Sequence, residues 1–72
     1  MQQYQLVITA NRRPETLERL LRVVRHRGFE VISLHSETQE KTLHLQLKVQ
    51  SEREVELLIN QLVKLPDVLD LH

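Results

Sequence analysis

The chain contains no cysteine and no tryptophan, and its 72 residues include one glycine, two prolines, one tyrosine and one phenylalanine. Without cysteine there is no disulfide, no thiolate metal site and no CxxC redox centre. A single glycine leaves no glycine-rich loop to cradle phosphate. Tyr4 and Phe29 are the only aromatics, and neither lies in "KTLHLQLKV", where an RNA-reading sheet would carry its stacking residues. No apolar run approaches the roughly 20 residues that span a bilayer. No basic-then-apolar stretch of signal-peptide type stands at the start. These absences predict a soluble cytoplasmic protein that binds neither nucleic acid nor membrane. One domain over residues 1–72 is expected. So small a domain buries a modest share of its surface, so a dimer or a permanent partner is expected to stabilise it.

Charge is balanced overall but segregated. Residues 1–36 hold six arginines against Glu15, Glu18 and Glu30, or +3; residues 37–72 hold four cations against seven acids, or −3. Such asymmetry orients a protein interface and argues against nucleic acid, whose phosphates favour a clearly basic domain.

Hydrophobic periodicity predicts the elements. In "YQLVITA" one face carries Tyr4, Leu6, Ile8 and Ala10, which reads as a strand. Pro14 suits the first turn of a helix, Glu15 and Glu18 its positive end, and Arg25, His26 and Arg27 its negative end. Leu17, Leu20, Leu21 and Val24 form its apolar stripe, and Gly28 fits the left-handed position past its end, giving a helix over about residues 14–27. "FEVISL" reads as a strand, "HSETQEK" as a hairpin loop, and "TLHLQLKV" as a strand with Leu43, Leu45, Leu47 and Val49 inward. "SERE" fits a capping box, with Ser51 capping and Glu54 reaching back, before a second helix carrying Val55, Leu58, Ile59 and Leu62. Pro66 stops that helix, and "DVLDLH" reads as a short last strand. The order βαββαβ is the ferredoxin-like α+β arrangement, a four-stranded antiparallel sheet with two helices on one face.

The places where chemistry could sit are few. Arg19, Arg22, Arg25 and His26 fall opposite the leucine stripe, which is first the solvated side of a helix and second a partner surface. The turn of Asn11, Arg12 and Arg13 joins a strand end to a helix start, where backbone N–H groups and the helix dipole favour anions. Val23 lies off the main stripe and hints at packing beyond the sheet. His26, His35, His44 and His72 lack the spacing of a metal site. No nucleophile motif or carboxylate pair suggests catalysis.

Two stretches carry a family likeness. "PETLERLLRVVRHRGFEV" resembles the first helix and second strand of the acetolactate synthase (acetohydroxyacid synthase) small-subunit family, most of all its short isozyme II type. "LLINQLVKLPDVLDL" resembles that family's second helix and final strand. The likeness covers nearly the whole chain and is weakest around residues 35–45. It implies an ACT-like domain, no catalytic residue and no cofactor in this chain. It also implies a large catalytic partner that holds thiamine diphosphate, Mg and FAD in branched-chain amino-acid synthesis.

ACT domains commonly pair through sheet edges, so a homodimer is implied. Many bind an amino acid near the first turn, which here maps an effector site onto Asn11, Arg12, Arg13, Pro14 and Leu17. Longer small subunits bind valine over a turn glycine. That position falls at about Glu15, beside Pro14, where proline lacks the N–H donor and glutamate faces a carboxylate with like charge. Valine insensitivity is therefore expected, as for the isozyme II type. The chain stops after the last strand, so the further domain of longer small subunits is expected to be lacking. Arg12, Arg13, Arg19, Arg22, Arg25 and His26 are the expected partner contact. The alternative reading is a free-standing amino-acid-sensing ACT dimer that regulates another enzyme.

Overall fold

The alternating and helical periods produce the elements they predict. A computed structural model describes residues 1–72, with β1 Gln2–Asn11, α1 Thr16–His26, β2 Glu30–Gln39, β3 Thr42–Ser51, α2 Val55–Leu62 and β4 Val68–Leu71. One antiparallel sheet has the order β2-β3-β1-β4. The βαββαβ order and this topology make the ferredoxin-like fold.

β1 and β3 pair over their whole length, from Gln2 opposite Ser51 to Asn11 opposite Thr42. This register sets Leu6 against Leu47, Ile8 against Leu45 and Ala10 against Leu43, all buried on one face. Leu20 and Val24 of α1 and Leu58 and Leu62 of α2 close over that face and complete the core with Phe29. The opposite face carries the intervening residues, mostly polar with Val7 among them, and is covered by nothing in the chain. The inward leucines of β3 and both helical stripes thus lie where their periods put them.

Three details differ from the sequence reading. "HSETQEK" is mostly strand: β2 runs to Gln39, which pairs with Thr42, so the loop shrinks to Glu40 and Lys41. β2 is an edge strand exposed at nearly every residue, so polar side chains are compatible with it. Only one of its edges is paired, and a bulge between Val31 and Ser33 leaves Ile32 unpaired and exposed. Second, α1 begins at Thr16, not Pro14. The N–H of Thr16 donates to the Arg13 carbonyl at 3.1 Å and its hydroxyl to the Asn11 carbonyl at 2.9 Å. Pro14 and Glu15 form the turn so tied. Third, the capping box does not form. Ser51 Oγ donates to the Gly28 carbonyl at 2.9 Å and accepts from the Arg53 N–H at 3.0 Å. Glu54 flanks α2 with no side-chain cap. The serine ties the end of β3 to the α1–β2 turn instead.

That turn depends on Gly28, at φ +83°. Its N–H donates to the Arg25 carbonyl and the Phe29 N–H to the Val24 carbonyl, the paired bonds of a Schellman ending. The chain then drops Phe29 into the core, 3% exposed. A Cβ at Gly28 would stand 2.7 Å from Arg53 Nε, which a flexible side chain can relieve, but the left-handed backbone cannot be relieved. Gly28→Ala is expected to cost about 1–2 kcal/mol, read as a lowered midpoint in thermal unfolding.

Candidate functional site

The β1–α1 turn is built around one acid. Asp67 follows Pro66 at the approach to β4 and is 6% exposed. Its backbone carbonyl accepts the Asn11 N–H at 2.7 Å, which fixes it beside the end of β1. Its carboxylate lies 3.4 Å from Arg13 Nε and 3.4 Å from Arg19 Nη1. Two guanidinium groups, one from the turn and one from α1, therefore converge on a single buried acid. Charge-assisted contacts of this kind are stronger than neutral ones, and here one member is shielded from water.

The other residues of the turn are also occupied internally. The Arg12 N–H donates to the Lys41 carbonyl at 2.9 Å and its Nη1 to the Glu40 carbonyl at 3.4 Å, so Arg12 holds the β2–β3 loop. Leu17 packs half-buried against the core, while Pro14 is exposed. The predicted effector residues are thus brought to one corner, with their cations directed at Asp67 and at the hairpin.

The arginine face of α1 divides. Arg19 reaches back to Asp67, whereas Arg22, Arg25 and His26 stay exposed. Arg22 pairs only with Glu18, one turn earlier, at 3.6 Å. Arg22 and His26 line an open groove between α1 and α2, together with Arg27, Gln61 and Lys64, over a floor of Val23 and Leu65. Arg27 Nη2 donates to Gln61 Oε1 at 3.0 Å. The off-stripe Val23 packs half-buried against the core at this groove. Asp67, Arg27 and Lys64 were not among the sequence-predicted site residues. From the sequence Arg27 is only a cation at the negative end of α1, and its place beside Lys64 at one groove depends on how the two helices pack.

The histidines lie apart. His35 pairs opposite Gln46 on the uncovered face, and His44 sits between Thr9 and Glu37 on the same face. His44 Nδ1 lies 3.4 Å from Thr9 Oγ1 and its Nε2 3.3 Å from Thr42 Oγ1, so two hydroxyls hold the ring. His72 Nδ1 stands 3.2 Å from Asp70.

Comparison with known proteins fits this frame. The profile described as the ACT domain matches residues 12–71. The chain is 49% identical over 70 residues to the acetolactate synthase isozyme 2 small subunit of Escherichia coli K12, an alignment covering 94% of this chain and 80% of that protein. The chain belongs to the ACT-domain family of acetolactate synthase small subunits. The family likeness of the two quoted stretches is thus borne out. Among solved structures, the acetolactate synthase small subunit of Thermotoga maritima superposes with a TM-score of 0.85 at 16% identity, over 100% of this chain and 47% of that one. The ACT domain of a GTP pyrophosphokinase from Chlorobium tepidum superposes with a TM-score of 0.84 at 10% identity, over 97% of this chain and 94% of that one. At such identities these two show a shared fold.

Within this ACT domain the Asp67 cluster ties the two ends of the fold. Asp67→Asn keeps the shape of the side chain and removes its charge. It is expected to lower stability by about 1–2 kcal/mol, because two charge-assisted contacts are lost while the exposed guanidinium groups stay hydrated. Urea unfolding of the variant beside the parent measures it.

Proposed function

We propose that this ACT domain is the non-catalytic regulatory small subunit of an acetolactate synthase, serves branched-chain amino-acid (valine, isoleucine, leucine) biosynthesis in the cytoplasm, and does not respond to valine. The identity to an isozyme 2 small subunit over nearly the whole chain carries the reading. In this reading the chain is one functional domain and the large subunit holds thiamine diphosphate, Mg and FAD. The small subunit acts by binding the active arrangement of the large subunit more tightly than the inactive one. A tenfold activation needs a difference of about 1.4 kcal/mol between the two.

The Asp67 cluster supports valine insensitivity. An amino-acid carboxylate arriving at the β1–α1 turn meets cations that already face an internal carboxylate. It also meets Pro14, which has no N–H to offer. With the matching purified large subunit, this chain is expected to raise acetolactate formation saturably, and valine is expected to leave the rise unchanged. The free-standing sensor reading predicts the opposite pair of results: no rise, and a saturable calorimetric signal with valine, leucine or isoleucine.

The shape of β2 supports a homodimer through sheet edges. Its outer edge is unpaired in the sheet order. Beside it Leu21, Val31 and Leu34 line an open apolar groove rimmed by Glu18 and Arg25. A two-fold axis at this edge would pair β2 with its copy and bring the apolar strips together. Such an isologous contact uses one patch twice. Light scattering is expected to give a dimer for the parent and a monomer for Leu34→Glu.

A further inference from the structure

The groove between α1 and α2 has an unbalanced charge. Arg22, His26, Arg27 and Lys64 surround it, and Arg25 and His26 continue the positive surface beyond Arg22. Among these residues only Arg22 has an ion-pair partner, the exposed Glu18, and Arg27 meets a neutral amide. The contrast with Arg13 and Arg19 is direct, since both of those converge on Asp67. The acids of the second half lie elsewhere: Glu37 and Glu40 at the β2–β3 hairpin, and Glu52, Glu54 and Glu56 at the start of α2. The chain is neutral as a whole, so the positive charge here is local.

We propose that this groove seats a carboxylate-bearing segment of the large subunit, with its acids on Arg22, Arg27 and Lys64 and an apolar side chain between them on Val23 and Leu65. The inference rests on the small-subunit reading and deepens it by naming the contact. The floor supplies partly buried apolar contact at the centre and the cations supply the rim, which is the usual arrangement of a protein interface. Arginine stands on the α1 side of the groove and Lys64, in the turn after α2, on the other, so acids spaced about a helical turn apart on the partner can reach both. All the cations are exposed, so the groove lacks the enclosure by which a small-molecule site removes its ligand from water. A neutral chain without aromatics in the groove also lacks what nucleic acid would need.

The test uses the full chain and the matching large subunit, with association read from titrated activation and from light scattering of the complex. The groove variant is Arg27→Glu with Lys64→Glu. The control is Lys41→Glu with Lys48→Glu, which changes net charge equally at the hairpin and on the uncovered sheet face. Both variants must keep the parent's thermal unfolding profile. The groove variant is expected to bind about tenfold or more weakly and to lose much of the salt dependence of association. The control is expected to bind as the parent does. Parent-like binding by the groove variant, or an equal loss in the control, overturns the inference and leaves the small-subunit reading intact. A parent chain that neither binds nor activates overturns that reading, and the inference with it. Saturable binding of inorganic phosphate to the free chain, abolished in the groove variant while subunit association is kept, assigns the groove to a small anion and also overturns the inference.

Discussion

The unbroken pairing of β1 with β3 is the constraint on which the rest depends. Ten residues face ten residues without a bulge, so each inward side chain of one strand lies beside an inward side chain of the other. A slip of one residue would turn Leu6, Ile8 and Ala10 to solvent and Gln5, Val7 and Thr9 into the core. Because this pair occupies the centre of the sheet, both helices find one apolar surface to cover. The opposite face is left mostly to polar residues such as Gln5, Thr9, His44, Gln46 and Lys48.

Around that centre the chain is tied at two corners by single polar residues. Ser51 links the end of β3 to the carbonyl of Gly28 and also steadies the approach to α2. Asp67 links the approach to β4 with the β1–α1 turn through Arg13 and Arg19. The second tie turns the cations of the β1–α1 corner inward onto one buried acid. Arg22, His26 and Arg27 face the interhelical groove instead. The same arginine-rich helix therefore presents two surfaces, one closed on itself and one open.

Much of this was legible in the sequence because burial on one face leaves a clean period. The leucines of β3, the stripe of α1 and the left-handed Gly28 follow from spacing alone. β2 escaped that logic: an edge strand exposed on nearly all sides has no reason to alternate, so "HSETQ" looks like loop and is strand. The capping box failed for a different reason. Ser51 has the right spacing to Glu54, but its hydroxyl is taken by a carbonyl 23 residues away, which no local pattern reveals. Asp67 was invisible in the same way, since a lone acid after a proline looks like the start of a turn. The arginine face could be seen as a face, but its division into paired and unpaired members needed the fold.

The pairing of β1 with β4 bears on the order of synthesis. Ile8 lies opposite Leu71, and the Val7 and His72 backbones exchange hydrogen bonds, so one side of β1 stays open until β4 has been made. Asp67, which both Arg13 and Arg19 face, arrives with it. Up to Pro66 the sequence carries ten cations against eight acids, so the acid of this corner follows both of its arginines in the chain. Contacts of such long sequence separation form slowly. The β1–β4 pairing spans the longest separation of the three in the sheet and is expected to close last.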